Sequence, residues 1–150
     1  MSLATETIFI KALSENQELM HRLGQNAKNL PRLYSTAIPI PDEDFMNAPV
    51  PYVIVSFDGL TNDSQTKDEP YEGIYDQVSI GIEVAGKNIG ELHILTQMVR
   101  DTILSYMREN DTPIEDYQFS AQSINYDSIK QCYWQVLSYV CDVLNTNDDE

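Results

Sequence analysis

The stretch QVSIGIEVAGKNIGEL (77–92) decides how the rest of the chain is read. Val78, Ile80, Ile82 and Val84 alternate with Gln77, Ser79, Gly81 and Glu83, a period of two that predicts a strand with one dry face and one wet face. The period then changes. Asn88 and Glu91 stand three apart as in a capping box, and Leu92, Leu95, Val99, Ile103 and Tyr106 continue at helical spacing towards Arg108, with Pro113 beyond. A long antiparallel-type strand that feeds a helix is therefore the centre of the fold.

Working back from it, 59–73 (GLTNDSQTKDEPYEG) is polar, net acidic and aperiodic, and reads as a mobile loop that orders on assembly. Tyr52–Asp58 is a strand by its β-branched and aromatic content. Residues 39–51 carry Pro39, Pro41, Pro49 and Pro51 and form a connector, preceded by a short edge strand within 30–38. Ile8, Phe9, Ala12, Leu13, Leu19, Met20 and Leu23 make a helical stripe over 5–23, with Gly24 as its stop.

Working forward, 117–127 alternates through Tyr117, Phe119 and Ala121, then changes parity at Ile124 and Tyr126, so a bulge or bend is expected near Gln122–Ser123. Residues 132–144 (CYWQVLSYVCDVL) suit a helix or a strand. Their Tyr, Trp, Val and Cys content, with no cap before them, favours a strand. That strand is apolar on both faces, Trp134, Val136 and Val140 on one and Tyr133, Leu137 and Tyr139 on the other, and calls for cover on both sides. The expected fold is one α+β domain over 1–150, a mainly antiparallel sheet with two helices on one face, in the order α-β-β-β-α-β-β. Two helices leave a face over, to be covered by a hairpin or by another subunit.

The bulk properties narrow the function. Nine Lys+Arg against 24 Asp+Glu give a formal charge of −15, which repels phosphate backbones and anionic lipids and argues against nucleic-acid grip and membrane docking. The N-terminus lacks the basic and continuous apolar regions of a signal peptide, so the cytosol is the expected compartment. Cys132 and Cys141, nine positions apart, would lie roughly 30 Å apart in a strand and roughly 13 Å apart in a helix. Both exceed the about 7 Å that a disulfide tolerates, leaving two buried thiols.

No catalytic, cofactor or metal residues are expected. GIEVAGKN (81–88) matches a phosphate-binding loop except that Asn88 replaces the hydroxyl residue, yet Gly81 sits in the alternating strand and Asn88 serves better as a helix cap. His21 and His93 lack a second ligand at i+3 or i+4 and read as half-buried, ordinary histidines. Asp42, Glu43 and Asp44 could hold a hard cation, but such a run in a Pro-bounded loop reads as solvated. The chain is expected not to be an enzyme.

The order of features carries a resemblance. Arg32-Leu33-Tyr34, the run from Pro51 to Val55, Val78–Val84, Glu91-Leu92 and Tyr133–Val143 resemble the successive elements of the phage tail completion, or tail terminator, proteins. The similarity is one of topology and loose pattern over nearly the whole chain. It implies a structural virion component, a homo-oligomeric ring commonly of six subunits that caps the tail tube and joins it to the head connector. Its place would be the bacterial cytoplasm during assembly and then the virion tail. An acidic lumen would let DNA slide past without sticking. Phe45–Pro51 and 59–73 match no pattern of that family, so contact residues do not carry over. The competing reading is an acidic immunity-type or inhibitor protein that binds one basic enzyme, and oligomeric state separates the two.

Overall fold

In the computed structural model of the chain, residues 2–26, 28–38, 50–62 and 75–144 are described. Asp42, Glu43 and Asp44, most of the connector, 63–73 of the polar loop and the terminal acidic run lie outside them.

The N-terminal stripe forms two helices rather than one. A 3-10 turn over Ser2–Ala4 leads into α1 (Thr5–Ser14), and α2 (Gln17–Leu23) follows. The chain breaks at Asn16, whose extended backbone lets its Oδ1 accept from the Leu19 N–H at 3.1 Å while its Nδ2 donates to Thr102 Oγ1 at 2.7 Å. The cap and the tie to α3 offset the few backbone bonds given up at the break. Gly24, at φ +73, ends α2 as expected. α3 (Ile89–Glu109) is the long helix predicted after the cap. None of the described helices is long and apolar enough to cross a membrane.

The strands are β1 (Leu33–Ser35), β2 (Tyr52–Thr61), β3 (Tyr75–Gly86), β4 (Ile114–Ala121), β5 (Asn125–Asp127) and β6 (Cys132–Leu144). They form one sheet in the order β1-β2-β3-β6-β4, with β5 also paired to β6. Every pairing is antiparallel except β1 with β2, so the sheet is mixed. The α+β class holds, while the predicted element order gains a helix and a strand. β2 runs on through Thr61, so 59–61 belong to a strand and not to the loop. The parity slip at Gln122–Ser123 marks a break between β4 and β5. At that break the Gln122 N–H still donates to Val136 O, and Gln135 Nε2 donates to Gln122 O, so the peptide groups stay paired. The bulge itself lies at the other end of β4, between Ile114 and Asp116.

One face of the sheet builds the core. Val53 and Val55, Val78, Ile80, Ile82 and Val84, and Leu137, Tyr139, Cys141 and Val143 pack against Phe9, Leu13, Leu19, Leu23, Leu92, Leu95, Val99 and Ile103. Each such side chain contributes about 1.5–3 kcal/mol when fully buried. Tyr139 sits at the middle, its ring centroid 5.2 Å from Phe9, 5.5 Å from Tyr117 and 5.1 Å from Phe119. Arg100 of α3 stacks over Phe119 at 4.3 Å. The two-sided reading of β6 is correct: Leu137 and Tyr139 face the helices, and Trp134, Val136 and Val140 face the other way, half-buried.

Candidate subunit-contact surface

The sheet face away from the helices is uneven. At one end Tyr34, Tyr52, Ala85 and Cys132 are buried with Ile38, Val50, Ile54 and Trp134 packed beside them, a second small apolar cluster. Its polar edge is organised by one contact. The Tyr52 hydroxyl donates to Glu83 Oε2 at 2.8 Å, and Lys130 Nζ lies 5.5 Å from the centre of the Tyr52 ring. Burial first, and then the Glu83 carboxylate, push the Tyr52 hydroxyl well above its ordinary pKa, so it remains a donor.

Further along the same face the surface turns polar and acidic. Asp58, the extra residue in a bulge between Phe57 and Gly59, lays its carboxylate over Gly81, and Ser56 Oγ donates to its Oδ1 at 2.9 Å. A Cβ at Gly81 would stand 2.5 Å from Asp58 Oδ2, so the glycine makes room for the carboxylate. Across the sheet Thr61, Gln77, Asp142 and Asp116 fall in one row. Like charges directly opposite on neighbouring strands are destabilising, so the acidic character of this face is held against a cost. Neither the Tyr52–Glu83 pair nor the Asp58–Gly81 contact could be read from sequence. Both depend on the β2–β3 register, which no short turn signal between those strands specifies.

The decoys resolve as structure. Gly81 lies in β3, and Gly86 is its last residue, where a Cβ would come within 2.9 Å of the Leu92 backbone nitrogen. Gly86 therefore serves the close approach of strand and helix. Asn88 Oδ1 accepts from the Glu91 N–H at 2.8 Å, and Glu91 Oε1 accepts from the Lys87 N–H at 2.8 Å. The Lys87 and Glu91 N–H groups at this helix start are thereby engaged within the capping box. His21 and His93 are exposed, not half-buried, since each points away from the stripe its helix buries. No group of three or more His, Cys, Asp or Glu among the described residues is arranged to hold a metal ion. Cys132 and Cys141 are free and buried on opposite faces of β6, and burial pushes the Cys141 thiol up to about 12.

Among the described residues, clefts open on the helical side. One, of about 390 Å³, lies between α1 and α3 and is lined by Glu15, Asn16, Asp101, Thr102 and Glu109 among others. The second, of about 490 Å³, lies around α2 beside Met20, His21 and Gln25. Small-molecule sites are lined mostly by apolar and aromatic side chains, and the first cleft in particular is not.

No protein-family model matches this sequence, and no curated protein does. Among solved structures, a chain in the virion of a native gene transfer agent particle has the same fold. It is 10% identical in sequence, covers 93% of this chain and 94% of that one, and superposes with a TM-score of 0.59. A crystal structure from Akkermansia muciniphila matches 61% of this chain and 43% of its own at 13% identity. Its TM-score of 0.29 is too low to bear on the fold.

Proposed function

We propose that this chain is a structural virion component that works as a tail terminator: a homo-oligomeric ring that caps the tail tube and joins it to the head connector. The observation that carries the reading is the end-to-end correspondence of fold with a virion chain, 93% of one and 94% of the other. Fold alone does not assign function. The reading draws its strength from the agreement of that fold with the order of elements from Arg32-Leu33-Tyr34 to Tyr133–Val143, which resembles the terminator family on independent grounds. In this role the chain is not an enzyme. It binds no cofactor and grips no nucleic acid, its partners being copies of itself, the tube protein and the connector. It would be made in the host cytoplasm and end in the virion.

The net charge of −15 also suits the second reading, an inhibitor of one basic enzyme. Electron microscopy of tail tubes assembled with and without the chain separates the two. A terminator gives tubes of closed length with extra density at one end. Tubes that grow on unchanged in its presence, together with a one-to-one complex with a basic enzyme, contradict the proposal.

A further inference from the structure

The sheet has two open edges, and they match. On one side β1 covers only Val53, Ile54 and Val55 of β2, so among the described residues no strand pairs with 56–61 on the side away from β3. On the other side β4 pairs, among the described residues, with β6 alone. The two free stretches stand at the same level. Phe57 pairs with Ile80, Ile80 with Tyr139, and Tyr139 with Phe119; Leu60 leads through Val78 and Cys141 to Tyr117. Strand direction reverses three times between β2 and β4, so the two edges run in opposite senses. A second copy moved straight across the strands would therefore bring its β2 edge level with, and antiparallel to, the β4 edge of the first.

The backbone groups at these edges point outward. Because the Gln122 N–H donates to Val136 O, alternation turns the peptide groups of Tyr117, Phe119 and Ala121 away from β6. On the opposite edge the Val53 N–H donates to Arg32 O, and Val55 O accepts from the Thr36 N–H. The same parity carries Phe57 outward until the bulge. Both edges are also guarded in the manner of natural edges. Asp116 Oδ1 accepts from the Tyr117 N–H at 2.8 Å, each edge strand carries a bulge, and Asp58, Glu115 and Asp116 place charge of one sign on both.

We propose that these two edges are the halves of one subunit contact: β4 of one copy adds to 56–61 of β2 in the next, joining the sheets of successive copies. The contact is heterologous, as a ring requires. It rests on the terminator reading for closure into a ring, but the seam itself rests on register, direction and outward-facing backbone. A second copy is the occupant because one chain carries both halves at one level and in the right sense. Like charge on both sides keeps free copies apart at low salt and lets them pair once screened.

The test uses the full chain, assembled at moderate salt or on tail tubes, with hydrogen exchange read residue by residue. The amides of Tyr117 and Phe119, level with Leu60 and Phe57 of the next copy, should slow on assembly. Glu115→Lys reverses one exposed edge charge without touching the ladder to β6, so association at about 20 mM salt should strengthen by about tenfold or more. Glu15→Lys makes the same change of net charge on the helical side and should shift association far less. Rings that respond equally to the two variants, with the 117 and 119 amides exchanging freely, would overturn the seam and leave the ring reading intact. Edge amides slowed only by tube protein, with no self-association, would replace the second copy by a tube strand. A chain that remains monomeric with tubes present and without them would defeat both proposals.

Discussion

Tyr139→Phe should stabilise the protein. Tyr139 is 1% exposed, and its hydroxyl has no hydrogen-bond partner among the described residues. Leaving a buried hydroxyl unpaired costs about 1–3 kcal/mol. The substitution keeps the ring and its contacts with Phe9, Tyr117 and Phe119, and gives up the dispersion of one oxygen, a few tenths of a kcal/mol. The net expectation is a gain of about 1 kcal/mol. In a chain of this size that raises Tm by about 2–4 °C. Urea unfolding at pH 7 should show a higher midpoint with an unchanged slope.

The pH dependence provides a second check on the same residue. Burial pushes the Tyr139 hydroxyl well above its ordinary pKa of 10.0. The unfolded chain therefore loses this proton near pH 10 while the folded chain keeps it. That difference stabilises the native state below pH 10 and fades as pH rises towards the folded value. Removing the hydroxyl removes this alkaline loss, so the advantage of Tyr139→Phe should widen above pH 10. A variant less stable than the parent by about 1 kcal/mol or more, with the slope unchanged, would mean that the hydroxyl is paired and would refute the reasoning.

Gly86→Ala places a Cβ 2.9 Å from the Leu92 nitrogen, which is backbone at a helix start and cannot swing aside. A loss of about 1–3 kcal/mol is expected in the same urea assay. Asn88→Ala removes the side-chain acceptor for the Glu91 N–H and should cost about 1 kcal/mol, with faster amide exchange in the first turn of α3. Lys87→Ala should leave stability within about 0.5 kcal/mol of the parent, because its side chain is exposed. Titration calorimetry with ATP and Mg²⁺ should give no heat for either protein, and binding that Lys87→Ala abolishes would reinstate the phosphate loop.

The parts of the fold legible in sequence were those that local chemistry dictates. The alternation from Val78 to Val84 and the Asn88–Glu91 cap define β3 and α3 because each can be recognised within a few residues. The apolar run 132–144 suited a helix as well, and its residue content, with no cap before it, favoured the strand that forms. The break at Asn16 was not legible: it depends on Thr102, eighty-six positions away, accepting from its side chain. The continuation of β2 through Gly59 was hidden for a related reason. Residues 59–61 have the composition of a loop, and only pairing with Val78 and its neighbours makes them strand. The seam proposed between the β2 and β4 edges was not legible at all, because an edge strand looks like any other strand in sequence. Its geometry follows from the strand order β1-β2-β3-β6-β4, and no residue states that order on its own.

The central claim is that this chain assembles with copies of itself. Light scattering on the purified protein, at about 20 mM and about 300 mM salt, tests it most directly, since the two lie on opposite sides of strong screening. A six-membered ring would gather a charge on the order of −90 from subunits of −15 each, so repulsion opposes closure while apolar and backbone contacts favour it. The account predicts a discrete oligomer that strengthens as salt rises, or that forms on tail tubes when the free chain stays small. A strict monomer in both buffers that also ignores the tubes would contradict it.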